Sequence, residues 1–100
     1  GHYPVWSVCQ HGPTRALVDR LKPLLERYHI TGYMSGHDHC QAYLDERRGP
    51  AYIVTGTGDN CCYEPSNLHA VPKGSCKWYQ AADTMNNTFG GFASMTATTE

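Results

Sequence analysis

The sequence predicts an α/β fold, and three observations carry this prediction. An apolar stripe with the period of a helix comes first, and shorter β-branched and aromatic runs typical of strands follow it. A charged turn containing Gly and Pro, residues 45–50, separates two of those runs as in a β-hairpin. Since 100 residues hold at most one small domain, this order of elements predicts the second half of a layered α/β domain.

The helix is predicted from Thr14 to His29, after a Pro-Thr pair that is typical of a helix start. Its apolar stripe consists of Leu17, Val18, Leu21, Leu24, Leu25 and Tyr28. Pro23 lies inside the stripe and has no backbone N–H, so we expect either a kink there or a helix in two pieces. His29 should close the helix as a capping or surface histidine.

Strands and loops fill the remainder of the chain. Residues 30–35 are expected to form a buried strand, because a short run with β-branched and aromatic side chains follows the helix directly. Residues 42–44 and 51–54 should form the two arms of the hairpin. Residues 56–75 contain many Gly, Pro, Asn and Ser residues and are predicted to be a long loop.

The last quarter of the chain gives weaker patterns. Residues 77–80 are predicted to form a further strand, and residues 83–91 a polar turn. Residues 92–96 alternate between apolar and small or polar side chains, which predicts one more strand. The sequence contains neither an internal repeat nor a low-complexity tract, so repeat architectures are not expected.

Charge and hydropathy exclude two classes of partner. The formal net charge is −1, from 8 Lys and Arg against 9 Asp and Glu, and the basic residues form no long run. We therefore expect no nucleic-acid partner. No apolar run approaches the roughly 18–20 residues that a membrane span needs, so we also expect no membrane span.

The five cysteines and one sequon bear on the compartment. The cysteines are Cys9, Cys40, Cys61, Cys62 and Cys76, and none of them forms a C-x-x-C pair typical of zinc modules. In an oxidising compartment we expect one bridge, from Cys61 or Cys62 to Cys76, with free thiols as the alternative. Asn86 begins an Asn-Asn-Thr triplet and is a candidate site of N-glycosylation, which favours secretion.

The stretch Gly-His-Asp-His at residues 36–39 is the first candidate for a metal site. His37 and His39 directly follow the predicted strand 30–35, at the end of a sheet where α/β folds bind ligands. Imidazole is the commonest metal ligand in proteins. Gly36 allows the turn, and Asp38 could orient a ligand through a hydrogen bond.

Two further histidines are predicted to lie near this stretch. His2 precedes the helix, and a β-loop-α-β unit brings the ends of its two strands side by side. We therefore expect His2 to converge with His37 and His39 on a metal. His11 lies at the mouth of this site, where it could donate a proton or bind an anion, or it could be a surface histidine at the helix start. His69 lies in the long loop and is given no role.

These segments together resemble a known family. In chain order they are GHYPVWS, HGPT, LKPLLERY, GHDH, YIVTGTG and VPKG. The set resembles the carboxyl-terminal half of a metallophosphoesterase, and within that superfamily the tartrate-resistant, purple acid phosphatase group. The resemblance covers nearly the whole chain, and it is strongest over residues 1–40.

The resemblance has implications for the fold. It implies that residues 1–100 are the carboxyl-terminal part of a single metallophosphoesterase domain, incomplete at both ends. That domain is a four-layer α-β-β-α sandwich, and this chain would be a fragment of it. The missing amino-terminal half would then be a partner of this chain, and the isolated 100 residues should be inactive.

The resemblance also implies a chemistry. Family members hydrolyse phosphomonoesters by attack of a metal-bound hydroxide at a dinuclear centre that holds Fe(3+) plus Fe(2+), Zn(2+) or Mn(2+). His2 and His37 match the ligands of the divalent metal, and His39 matches a ligand of the ferric iron. His11 matches a histidine beside the substrate phosphate, where it would stabilise the transferring group or protonate the leaving oxygen.

The chain departs from the family at several points. The family's Asp-x-Gly, Gly-Asp-x-x-Tyr and Gly-Asn-His motifs are absent from these residues. Ala16 stands where secreted mammalian members carry a cysteine, so the resemblance does not extend to their disulfide. The adjacent pair Cys61 and Cys62 is unlike the family and could form a lineage-specific bridge.

Two alternatives to a phosphomonoesterase remain open at this point. One is another dimetal metallophosphoesterase that acts as a diesterase or nucleotidase. The other is a non-enzymatic module that binds metal through His and Cys side chains. For the phosphatase, a secreted or lysosomal location is expected.

Overall fold

The computed structural model describes residues 1–80 and 90–99. The elements in chain order are helices α1 Arg15–Arg20 and α2 Lys22–Arg27, strands β1 Gly32–Ser35, β2 Gln41–Asp45 and β3 Ala51–Thr55, a 3₁₀ turn Leu68–Ala70, and strand β4 Cys76–Gln80. The predicted α/β class is confirmed in this mixed arrangement. Within the described residues, the helices are all too short or too polar to cross a membrane.

The predicted break in the helix is confirmed. α1 ends at Arg20, and α2 begins at Lys22 with Pro23 in its first turn. Pro23 cannot donate a backbone hydrogen bond to the preceding turn, and this position is where a proline is tolerated in a new helix. His29 follows α2 with a left-handed φ of 52° and is exposed, as predicted for a surface histidine at the helix end.

The four strands form one sheet in the order β1-β3-β2-β4. β1 pairs with β3 in parallel, and β2 pairs antiparallel with β3 on one side and with β4 on the other. The predicted hairpin and the predicted strand at 77–80 are therefore confirmed, the latter extended to Cys76. The hairpin places β2 and β3 at the centre of the sheet.

One strand prediction was confirmed in part, and another was wrong. The strand expected at 30–35 is present but begins only at Gly32, and only Ser35 of this edge strand is buried. Ile30 is 41% exposed. Residues 92–96 form no strand, and Phe92 is 87% exposed. Most of the turn predicted at 83–91 lies outside the described residues.

The core lies on one face of the sheet. It consists of Val5, Val8, Cys9, Cys40, Ala42, Leu44, Tyr52 and Val54, and part of the helix stripe packs against it. The irregular segment 4–9 contributes buried side chains from outside any helix or strand. Thr14 donates its backbone N–H to the Val5 carbonyl at 3.3 Å, which holds the helix start against this segment.

The predicted cysteine pairing was wrong. Cys9 and Cys40 form a fully buried disulfide, with an S–S distance of 2.09 Å and a Cα–Cα distance of 6.7 Å. Cys61 and Cys62 are bonded to each other. Cys76, which pairs with Leu44 in the sheet register, remains a thiol, and burial raises its pKa.

Candidate metal-binding and catalytic site

The first Gly-His of the chain meets the Gly-His-Asp-His turn at the carboxyl end of β1. Gly36 donates its backbone N–H to the His2 carbonyl at 3.1 Å, which aligns the two segments. The His2 Nε2 and His37 Nδ1 atoms lie 3.1 Å apart. The Tyr3 ring lies 4.6 Å from the His37 ring. The structure therefore brings His2 and His37 together, which confirms two of the three histidines predicted to converge.

His11 joins this pair from the other side. Its ring stacks on that of His37 with centroids 4.3 Å apart and an interplanar angle of 28°. The His11 side chain is exposed, so one face of the cluster is open to a ligand from solvent. His37 is thus flanked by His2 and His11, an arrangement that suits binding or proton transfer.

His39 takes a separate position. Its ring lies parallel to that of Tyr63, with centroids 4.5 Å apart and an angle of 7°. Its Nδ1 atom is buried and has no hydrogen-bond partner among the described residues. Tyr63 also contacts His11 edge-on at 5.4 Å, and its backbone N–H donates to the His39 carbonyl at 2.8 Å. Tyr63 therefore links His39 to the other histidines.

These donors fit part of a metal site. Two nitrogens bound at about 2.0–2.1 Å to one tetrahedral ion are separated by about 3.4 Å, close to the His2–His37 distance of 3.1 Å. The unpartnered Nδ1 of His39 is a further candidate ligand atom. In residues 1–80 and 90–99, however, His, Cys, Asp and Glu side chains form no group of three or more that could hold a metal by itself.

The electrostatics of the cluster favour neutral imidazole at His37. Partial burial lowers the pKa of His37, and the nearby rings of His11 and His2 lower it further. A lower pKa keeps the ring uncharged to more acidic pH, since burial and neighbouring like charge both disfavour the protonated form. Neutral imidazole is the form that binds metal ions.

Asp38 is fully buried, and its carboxylate holds the loop at residues 7–12, called here the 7–12 loop. Ser7 Oγ donates to Oδ2 at 2.5 Å, the His11 backbone N–H donates to Oδ1 at 3.1 Å, and the Gly12 N–H donates to Oδ2 at 3.3 Å. These three hydrogen bonds satisfy a carboxylate that would otherwise be costly to bury. The sequence interpretation had Asp38 orienting a metal ligand; instead, its carboxylate bonds to the backbone beside His11.

Sequence reasoning missed Asn67 and Tyr63. The Asn67 side-chain amide donates to the Cys9 carbonyl at 2.6 Å and to the Gln10 carbonyl at 3.1 Å. Both residues lie in the long loop after β3, where no periodic pattern marks a side chain as buried or functional. Only the folding of that loop onto residues 7–12 and 39 brings them to the site.

The remaining candidate residues lie apart from the site or outside the described residues. His69 is exposed on the 3₁₀ turn and has no role in the cluster, as predicted. Asn86, the candidate glycosylation site, lies outside the described residues. The Cys9–Cys40 disulfide removes two of the five cysteines as thiolate ligands, which weighs against a Cys-based metal module.

Comparison with known proteins finds that this histidine-bearing α/β chain is similar to purple acid phosphatases. It is similar to Purple acid phosphatase 7 of Arabidopsis thaliana, at 34% identity over 58 residues, which are 58% of this chain and 18% of the relative. The mixed α/β arrangement with its four-stranded sheet is compatible with part of the metallophosphoesterase fold. No family model matches the chain.

The similarity is greater to one branch of that class. The chain is 44% identical over 95 residues to tartrate-resistant acid phosphatase type 5 of Oryctolagus cuniculus and 42% identical over 95 residues to that of Homo sapiens. These matches cover 93% of this chain and 28% of each relative, so the chain spans less than a third of their length. The resemblance predicted from the sequence is thereby confirmed.

A solved structure shares the fold. The protein described as GAP50, the anchor in the inner membrane complex of Plasmodium, aligns with 81% of this chain at a TM-score of 0.69. The chain covers 24% of that structure, and the sequence identity is 22%. At this identity the match supports the fold alone.

Proposed function

We propose that this chain is part of an acid phosphatase that hydrolyses phosphomonoesters at a dinuclear metal centre. The observation that carries the proposal is the contact of His2 and His37 at 3.1 Å with His11 stacked beside them. Sequence similarity also supports the proposal, because this chain is 42–44% identical to tartrate-resistant acid phosphatases over 93% of its own length. The remaining ligands would come from an amino-terminal half of the same four-layer sandwich.

The histidines would divide between two metal ions. His2 and His37 would hold the divalent ion, which is Fe(2+), Zn(2+) or Mn(2+), and His39 would help hold Fe(3+). When bound, the pair of cations would supply Lewis-acid charge that stabilises the negative phosphoryl oxygens of the substrate. Asp38 is not a candidate bridge, because Ser7 and the backbone of the 7–12 loop use its oxygens.

His11 would act on the substrate rather than on a metal. Its exposed ring lies beside His37 on the open face of the cluster. A protonated ring nitrogen of His11 would donate to the leaving oxygen of the phosphomonoester as the bond to phosphorus breaks. His37, which would bind the divalent ion as neutral imidazole, would not compete for that proton.

The buried Cys9–Cys40 disulfide supports an extracytoplasmic location. Buried disulfides persist in oxidising compartments and are rare in the cytosol, and Cys9–Cys40 is fully buried. We therefore place the parent phosphatase in the secreted or lysosomal class, and we retain Asn86 as its candidate glycosylation site.

Metal content and turnover of the full-length protein test the proposal. His37→Ala and His39→Ala should each lower bound metal, measured by elemental analysis, and should abolish most hydrolysis of an aryl phosphomonoester in acidic buffer. His69→Ala, an exposed histidine outside the cluster, serves as the control and should match the wild type. Wild-type metal content and turnover in both His37→Ala and His39→Ala would refute the assignment, as would a preference for phosphodiesters over monoesters.

A further inference from the structure

Two backbone N–H groups of the 7–12 loop donate to one buried carboxylate, that of Asp38. Asp38 is 0% exposed, and its two oxygens accept the consecutive backbone N–H groups of His11 and Gly12. Ser7 Oγ donates to the same carboxylate and accepts the Cys9 N–H at 3.2 Å. Hydrogen bonds to a charged acceptor are stronger than neutral ones, so this contact defines the backbone position of His11.

The backbone carbonyls of the same loop accept hydrogen bonds from a single residue, Asn67. The Asn67 side chain donates to the carbonyls of Cys9 and Gln10, and its backbone N–H donates to the Val8 carbonyl at 2.8 Å. Gly12 adopts a φ of +68°, and a Cβ at this position would lie 2.8 Å from Asn67 Cγ. The loop is therefore packed directly against the Asn67 amide.

These contacts leave the His11 ring free. Asp38 and Asn67 bond to the backbone of the 7–12 loop, whereas the His11 ring is exposed and stacks on His37. The Cys9–Cys40 disulfide ties the loop at one further point, two residues before His11. Among the aromatic rings of the described residues, the His11 ring contacts only those of His37 and Tyr63. The hydrogen bonds on both sides of the loop set the backbone position from which the ring reaches His37.

We propose that Asp38 and Asn67 are paired positioning residues that hold the His11 imidazole beside His37 for reaction with the substrate phosphate. The proposal rests on the phosphatase function proposed above. It extends that function by naming two residues that touch neither metal nor substrate and act only through His11. Correct placement of a proton donor supplies much of its effect, since small displacements weaken proton transfer strongly.

Two near-isosteric variants test the pair. Asp38→Asn replaces one acceptor oxygen by an NH₂ group that faces backbone N–H donors, and Asn67→Asp replaces the NH₂ group by an oxygen that faces two carbonyls. Each variant should lower kcat by about 10–100-fold, within the range of acid–base assistance, and leave KM and bound metal unchanged. Asp59→Asn and Asn60→Asp are matched controls in exposed positions and should behave as wild type.

A double-mutant cycle in the full-length protein distinguishes positioning from general stabilisation. If Asp38 and Asn67 act through His11, either variant combined with His11→Ala should be no slower than His11→Ala alone. Hydrogen exchange supplies a readout that does not depend on activity, because the His11 and Gly12 amides should lose protection in Asp38→Asn. If one of the two variants folds poorly, the kinetic cycle can still be completed with the other variant.

The possible outcomes separate the two proposals. Non-additive kinetics together with faster amide exchange would support the positioning pair. Additive losses, or unchanged exchange at His11 and Gly12, would overturn it while leaving an active wild-type phosphatase intact. An inactive, metal-free wild-type protein would instead refute the proposed function itself.

Discussion

At the scale of the residue, His37 combines a left-handed backbone with a crowded ring. Its φ is +63°, a conformation that costs a residue with a Cβ about 1–3 kcal/mol. Its ring lies between those of His2 and His11, at centroid distances of 5.0 Å and 4.3 Å. Such local strain persists when the surroundings hold it in place, as the hydrogen bond from the Gly36 N–H to the His2 carbonyl does here.

The role of His11 predicts a dependence on the leaving group. His11→Ala in the full-length protein should leave metal content unchanged and reduce turnover by about 10–1000-fold. The loss should be larger for an alkyl phosphate, whose leaving oxygen needs a proton, than for an activated aryl phosphate. Steady-state kinetics on both substrates check this, and an equal loss on the two would show that His11 only binds phosphate.

The close approach of Gly56 to the Gly-His-Asp-His turn predicts an intolerant position. Gly56 donates its N–H to the Cys40 carbonyl at 3.0 Å, and a Cβ on Gly56 would collide with the backbone carbonyl of Asp38. Gly56→Ala should therefore lower the free energy of unfolding by about 1–3 kcal/mol. Gly58→Ala is the control, because no heavy atom of the described residues other than its chain neighbours lies within 4 Å of the added methyl. Equal thermal midpoints for the two variants would contradict this prediction.

At the scale of the element, α2 is joined to the hairpin by one lysine. Lys22 Nζ lies 2.5 Å from Glu26 Oε1 on the same helix and 3.2 Å from Glu46 Oε2 in the turn between β2 and β3. The Lys22 and Glu46 side chains are 19% and 15% exposed. Burial alone would lower the pKa of Lys22, but the hydrogen bonds to Glu26 and Glu46 outweigh it and raise the pKa.

Removal of the Glu46 charge should loosen this contact. Glu46→Gln should lower the free energy of unfolding by about 1 kcal/mol, the net value of a typical hydrogen bond, and Glu64→Gln at an exposed position should not. Because the pKa of Lys22 is raised above 10.5, its contribution should be complete below that pH and decline as pH rises further. Thermal unfolding at neutral and alkaline pH measures both effects, and identical midpoints for Glu46→Gln and wild type at neutral pH would contradict them.

At the scale of the whole molecule, the two faces of the sheet differ. One face packs against α1, α2 and the segment 4–9. On the other face, paired positions in the four strands carry Met34, Ile53, Tyr43 and Trp78. Tyr43 is 40% exposed and Trp78 is 55% exposed. An apolar row of this kind on a sheet is typical of a surface that another layer covers.

The partly exposed apolar row and the incomplete ligand set predict the behaviour of the isolated chain. These 100 residues alone should show no phosphatase turnover with added iron or zinc, because neutral imidazoles without an anionic bridge cannot hold two adjacent cations. They should bind a hydrophobic dye such as ANS, and Trp78→Thr should bind less dye than the control Tyr28→Thr, which removes an exposed aromatic ring outside that row. Sustained metal-dependent turnover by the purified chain would contradict both the family assignment and the incomplete site.

Much of the candidate site could be predicted from sequence, because its histidines lie in short ordered motifs. The pairing of His2 with His37 and the nearby position of His11 follow from where the strand and helix begin and end. The supporting contacts could not be predicted in this way. The Asn67 bond to Cys9 spans 58 residues of chain, and nothing near Asn67 in the sequence indicates its partner.

The sequence by itself determined the elements that depend on neighbouring residues. Pro23 divides the helix because it lacks an N–H, and the Gly- and Pro-containing turn at 45–50 closes the hairpin. Only the tertiary structure decided that Cys9 pairs with Cys40 across 31 residues, that Asp38 is buried beneath the 7–12 loop, and that β1 lies at an edge. These outcomes depend on which distant segments pack together, and that choice minimises exposed apolar surface and unpaired polar groups over the whole chain.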